Sequence, residues 1–135
     1  MAHWLFKQEP SCYSFENLEA DGLTTWDGVA NALAQKHLKN AKKGDHAFFY
    51  HTGKDKAVVG IMELASDPAP DPADEKLAVV NVKPVKKLKN PVTLAAIKAD
   101  DAFASWELVR MSRLSVMPVS DTIWKKILAM SEGSV

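Results

Sequence analysis

Cysteine is almost missing from this chain: Cys12 stands alone. A single thiol closes no intramolecular disulfide and builds no cysteine zinc framework, so a reduced, cytoplasmic setting is expected. Net charge is missing as well. Seventeen Lys and Arg balance seventeen Asp and Glu, which argues against holding nucleic acid by bulk charge, because non-specific affinity grows with the number of phosphates neutralised. No run approaches the roughly 20 apolar residues of a membrane span. The N-terminus has no charged segment leading into a long apolar one, so neither a membrane partner nor a signal peptide is expected. Catalytic signatures are equally scarce. Gly28-Val29-Ala30-Asn31 lacks the Gly-Lys-Ser/Thr ending of a phosphate loop. The histidines have no Cys or carboxylate at zinc spacing, so no metal is expected. The zinc deaminase pattern and the Gly-x-Ser-x-Gly elbow are both absent. Cys12 with a distant His is too common a pairing to inform.

What is present is an ordinary globular composition, 47% hydrophobic and 25% charged. At 135 residues the chain is expected to be one domain, 1–135, burying roughly two thirds of its unfolded surface around one core. Only the tail, Ser131 to Val135, is expected to be loose. Lys36, His37, Lys39, Lys42 and Lys43 form one basic run, and Lys83, Lys86, Lys87 and Lys89 another. An acidic loop with Asp67, Asp71, Asp74 and Glu75 lies between them. Each run reads first as a solvated face, with a local phosphate-facing patch as the sharper alternative.

Periodicity and turn residues give a coarse map. His3 to Lys7 reads as a strand ended by Glu9-Pro10. Ser14 caps a short helix over Phe15 to Ala20, stopped at Asp21-Gly22. Ala30 to Asn40 reads as a helix and Lys43-Gly44-Asp45 as a turn. His46 to His51, a polar turn, and Ala57 to Leu64 form a hairpin, in which Gly60 marks a bulge or a close backbone approach. Ser66 to Asp74 reads as a surface loop. Leu77 to Leu88 is a long strand whose Pro84 demands an edge or a bulge. Pro91 opens a turn, and Thr93 caps a helix to about Ala99. A helical turn follows within Ala102 to Leu108, then a strand Leu114 to Val119 and a last helix capped by Ser120 and Asp121. Strands and helices without regular βαβ spacing predict an α+β fold, with a strongly bent sheet turning its corners at Gly60 and Pro84.

Four residues carry the chemistry worth weighing: Trp26, Asn31, Tyr50 and His51. Indole and phenol rings stack on a flat heterocycle, while amide and imidazole groups read its edge. Trp26 sits beside Asp27-Gly28, in turn chemistry. The same rings also suit a core. Both strand faces near Tyr50 and His51 are largely apolar, so the imidazole needs a partner, either internal or supplied by a ligand.

Five ordered motifs together resemble the EVE domain, a member of the PUA-like superfamily related to the YTH, ASCH and SRA-type domains. They are Trp4-Leu5-Phe6-Lys7-Gln8-Glu9-Pro10, Trp26-Asp27-Gly28-Val29-Ala30-Asn31, Gly44 to His51 with Val59-Gly60-Ile61, Pro91-Val92-Thr93-Leu94, and Ser112 to Val119. The resemblance implies a PUA-like, bent, mostly antiparallel β-barrel with flanking helices. It implies a non-catalytic module that recognises a modified nucleobase, a modified cytosine or similar, in DNA or RNA, as a monomer with no cofactor. Carried over by position, the pocket would be Trp26, Asn31, Tyr50, His51 and Ser115, with Lys7 and Pro10 at its rim. Ala30 stands where the family commonly has Arg, which leaves Arg110, Arg113, Lys36 and Lys39 as candidates for the nucleic-acid backbone. Arg110 and Arg113 suit an internal ion pair equally well. Two other functions fit the same pocket: a binder of a free nucleoside or small heterocyclic metabolite, and an enzyme on modified nucleic acid with Tyr50 or His51 as acid or base.

Overall fold

The computed structural model describes residues 2–132. The strands are β1 (His3–Gln8), β2 (Thr24–Trp26), β3 (His46–His51), β4 (Ala57–Leu64), β5 (Ala69–Asp71), β6 (Asp74–Thr93) and β7 (Val116–Val119). The α-helices are α1 (Phe15–Asp21), α2 (Ala32–Asn40), α3 (Leu94–Lys98), α4 (Glu107–Arg110) and α5 (Asp121–Ser131), with a 3-10 turn at Asp101–Phe103. The sheet runs β2-β6-β4-β3-β1-β7, and β5 pairs with β6. Among the described residues β1 and β3 alone pair in parallel; the other pairings are antiparallel. This is the α+β architecture expected.

The sheet is strongly curled. Strands β2 and β1 are separated in the sheet by β6, β4 and β3, yet the Trp26 and Phe6 rings lie 5.4 Å apart. Trp26 also meets Phe49 edge-on at 5.2 Å, and Phe15 from α1 meets Phe49 at 5.5 Å. These rings fill the inner face. Each is almost fully buried, worth about 1.5–3 kcal/mol apiece in apolar transfer. On the outer face Trp124 of α5 stacks on Phe48 at 3.9 Å and on His3 at 4.2 Å. Both faces of the sheet are therefore covered.

The expected corners exist. Val59 is the extra residue of a bulge on β4, and Val85 of another on β6, next to Pro84. Gly60 is also a close approach: a Cβ there would stand 2.5 Å from the Phe15 ring. The caps at Ser14, Thr93 and Ser120 form as expected, each side-chain oxygen accepting from a backbone N–H in the first turn.

Several boundaries differ. Helix α2 starts at Ala32, because Asn31 is extended and caps it. Part of the expected loop pairs as β5, and β6 runs through the expected turn at Pro91. The expected helical turn at Ala102 to Leu108 splits into the 3-10 turn and α4. Ser131 of the expected loose tail closes α5; residues 133–135 lie outside the described residues.

Candidate functional site

Trp26 and Tyr50 lie on opposite faces of the sheet. Successive strand residues point to opposite sides. Phe6 and Phe49 hold Trp26 on the inner face. Their chain neighbours Lys7 and Tyr50 therefore point outward, and the Lys7 ammonium stands 5.6 Å from the Tyr50 ring centre. The expectation of one pocket with both rings as walls is corrected by this placement: the two rings line separate cavities.

The inner cavity, of about 370 Å3, is lined by Gln8, Cys12, Tyr13, Thr24, Thr25, Trp26 and Asp27. Strand β1 delivers Gln8 at its end, on the same side as Phe6. Strand β2 delivers Trp26, which is 4% exposed, so most of the indole is core and one edge meets the cavity. Gly28, at φ 74, turns the chain after Asp27. Gln35 of α2 fixes that turn from behind. Its side-chain amide donates to the Val29 carbonyl at 2.6 Å and accepts from Ala78 N at 2.8 Å, joining the turn to β6. The Gln8 side-chain oxygen accepts from Glu9 N at 3.1 Å, which leaves its NH2 without a protein partner among the described residues. Thr25 donates to Asn81 at 2.8 Å, and the Tyr13 hydroxyl donates to Asp21 at 2.7 Å. Burial, then the Asp21 carboxylate, push the Tyr13 phenol up, so it stays protonated. The cavity thus offers one indole edge, an amide donor and, at Asp27, an exposed carboxylate.

The other expected residues are placed as follows. The Asn31 side-chain oxygen accepts from Ala34 N at 3.0 Å and is occupied as a helix cap. His51 finds its partners internally: Nε2 accepts from Phe15 N at 3.0 Å, and Nδ1 faces the Asp55 carboxylate at 3.1 Å. This pattern requires the tautomer with its proton on Nδ1. Ser115 precedes β7, and its backbone carbonyl accepts from Lys7 N at 2.9 Å. Pro10 is half-buried after β1, and neither Asn31 nor Ser115 lines the inner cavity. Lys36 and Lys39 border a groove with Lys76, and Lys39 donates to the Lys76 carbonyl at 3.1 Å. Arg110 and Arg113 are exposed, with no ion pair among the described residues.

Sequence reasoning missed Gln8, Tyr13, Thr24, Thr25 and Asp27 as cavity residues and Gln35 as their support. The signal for Gln8 was available: it shares the parity of Phe6 on β1. Nothing local placed β2 beside β6.

Comparison with known proteins adds four relationships. The EVE domain profile matches residues 2–130. Human "Thymocyte nuclear protein 1" is 28% identical over 167 residues, covering 97% of this chain and 74% of that one. Among solved structures, Rpa0253 from Rhodopseudomonas palustris superposes with a TM-score of 0.94 at 41% identity, covering 100% of this chain and 96% of that one. Human THYN1 protein, solved in complex with 5-methylcytosine-containing DNA, superposes with a TM-score of 0.90 at 26% identity, covering 98% of each chain.

Proposed function

The chain belongs to the EVE domain family, and we propose that it is a non-catalytic binder of a modified base, a 5-methylcytosine-type pyrimidine, presented by nucleic acid to the inner cavity beside Trp26. The observation that carries this reading is the human structure holding 5-methylcytosine DNA on a fold that superposes over 98% of this chain. The chemistry of the cavity fits. The indole edge suits contact with a planar ring. A carboxylate accepts from the exocyclic amine of cytosine, and an amide NH2 donates to the ring's acceptors; Asp27 and Gln8 are the groups for those roles. The methyl group fills apolar space, worth about 0.8 kcal/mol when buried, or roughly four-fold in affinity. The neutral chain favours a base that is already unpaired, since extrusion from a duplex costs a few kcal/mol. Tyr50 lies outside this reading, and so does His51, whose ring nitrogens both face internal partners. That pairing also counts against an acid–base enzyme. A monomer working in the cytoplasm belongs to the same proposal.

The test is anisotropy of labelled single-stranded DNA carrying one 5-methylcytosine, against the unmodified strand. The modified strand should bind a few-fold tighter, and Asp27→Asn should reduce that preference. Equal affinity for both strands would overturn the reading. Competition by free 5-methyldeoxycytidine with no dependence of binding on salt would instead favour a nucleoside binder, because polymer binding weakens steeply with salt.

A further inference from the structure

The outer face carries a second cavity, of about 230 Å3 and on the other side of the sheet from Trp26, bordered by Lys7, Tyr50, Lys56, Lys98 and the backbone turn at Thr52-Gly53. Its apolar floor comes from Leu94, Leu108 and Val109. Two features of it are unfinished. Tyr50 is 3% exposed, and its hydroxyl, which has no hydrogen-bond partner among the described residues, is not closed off from the cavity the ring lines. A phenol on an otherwise buried ring ordinarily finds a partner. Lys7 is half-buried, and its ammonium donates once, to the Ser112 carbonyl at 2.9 Å, leaving donors over and no carboxylate opposite. Lys56 and Lys98 likewise have no ion-pair partner among the described residues. Among the described residues no acidic side chain lines the cavity. The Glu9 carboxylate lies against Gly53 and accepts from the Thr52 hydroxyl at 3.2 Å, but Glu9 is not among the lining residues.

The backbone holds this arrangement in place. Lys56 adopts φ 41, in the left-handed region that a lysine seldom takes. Its carbonyl accepts from Leu94 N at 2.7 Å, which anchors the Lys56 turn to the start of α3, the helix that ends in Lys98. Three lysines border an apolar floor, and no acidic residue among those lining it offsets their charge. An anion with several oxygens offsets that charge and accepts from the phenol as well. Phosphate has the charge and the number of acceptors, and Lys binds it as a point charge. The volume is below that of pockets enclosing a whole drug-sized ligand, so it suits one phosphate group and not an entire nucleotide.

We propose that the Lys7–Tyr50–Lys56–Lys98 cavity is a second binding site, for a single phosphate group. Two sources present that chemistry: free phosphate or a phosphomonoester, and a phosphodiester of a nucleic-acid strand wrapping from the other face. The site does not depend on base recognition in the inner cavity.

The probe is inorganic phosphate, added at constant ionic strength while backbone amide resonances are followed by NMR. The amides of Lys7, Thr52, Gly53, Lys56 and Val109 should shift and saturate, while those of Thr25 and Asp27 stay in place. Lys56→Gln and Lys98→Gln, both at exposed positions, should each weaken phosphate about ten-fold, as loss of one charged hydrogen bond does. Tyr50→Phe should weaken it by a smaller factor, with the fold intact. A parallel titration with an unmodified single-stranded oligonucleotide separates the sources. If the strand supplies the phosphate, the Lys variants lower its affinity and its salt slope together, and phosphate competes with it. If a free phosphate compound is the ligand, strand binding is unchanged by the variants. Either result upholds the site, whatever modified bases do. Shifts that never saturate, or saturate identically in all three variants, overturn it.

Discussion

The two cavities share one sheet and are built on different terms. Around Trp26 the wall is also the core, since the indole that borders the cavity packs on Phe6 and Phe49. Around Tyr50 the wall is half surface: Lys56 and Lys98 are exposed and carry no packing load. On the inner face a change to the indole wall is therefore a change to the fold. On the outer face binding and stability separate. A ring recruited from a core is rigid and its position is held from behind; a rim of lysines is cheap to alter and tunes charge alone.

The strongest test of that contrast is Trp26→Ala. Truncating a buried indole should cost about 3–5 kcal/mol, read from urea denaturation. Binding loss in that variant would then be confounded with unfolding, so Trp26→Phe, which keeps a ring against Phe6 and Phe49, is the variant for binding work. A cost for Trp26→Ala below about 1 kcal/mol would show that the inner wall is not core and would erase the contrast.

Next in size is Gly60→Ala. The new methyl would stand 2.5 Å from the ring of Phe15, which is fully buried and has nowhere to retreat. Overpacking of this kind costs about 1–3 kcal/mol. Adding Phe15→Leu should return part of the loss relative to Phe15→Leu alone, and a double-mutant cycle measures how much. Strict additivity would mean that the two positions do not meet.

Local signals were legible in the sequence, and distant pairings were not. Ser14, Thr93 and Ser120 announce their helices because a cap bonds within its own first turn. Asn31 obeys the same rule, three residues before Ala34, and its chemistry as a cap was open to reading. The parity of Phe49 and Tyr50 was legible too, from strand alternation. What decided the site was elsewhere. Trp26 pairs with Val80 and Ala69 with Val79, in strands too short to show any period. Lys7 meets Tyr50 through the parallel pairing of β1 with β3, which no local pattern encodes. The side of the sheet on which Trp26 lands follows from the curl, a property of the whole sheet.

A smaller effect is expected on the outer face. Tyr50→Phe removes a hydroxyl that has no partner among the described residues, so stability at neutral pH should stay within about 0.5 kcal/mol of the parent. Alkaline pH should separate the two. Burial raises the Tyr50 phenol above its ordinary value of 10. Above pH 10 the unfolded chain releases that proton while the folded chain keeps it, so the unfolded state gains. This contribution to stability is complete below pH 10 and is lost as pH rises through the folded value. Lys7 acts in the opposite sense, because burial lowers its ammonium, but it is present in both proteins. The difference between parent and variant therefore isolates Tyr50. Stability curves that stay parallel above pH 10 would place the phenol in water.

The smallest effect should come from Glu16, whose carboxylate lies 3.2 Å from the Lys87 ammonium and joins α1 to β6. Both side chains are more than half exposed. Pairs of this kind contribute about 0–1 kcal/mol, and less as salt rises. The same helix carries Phe15, whose ring is buried against Phe49 beside Gly60. If apolar packing docks α1, as the inner face implies, Glu16→Gln should shift the urea midpoint barely at all, and the remaining difference should vanish at high salt. A loss above about 1 kcal/mol that persists in salt would mean that charge, not the Phe15 ring, seats the helix. The inner face would then be held by its surface after all, and the distinction between the two cavities would fail.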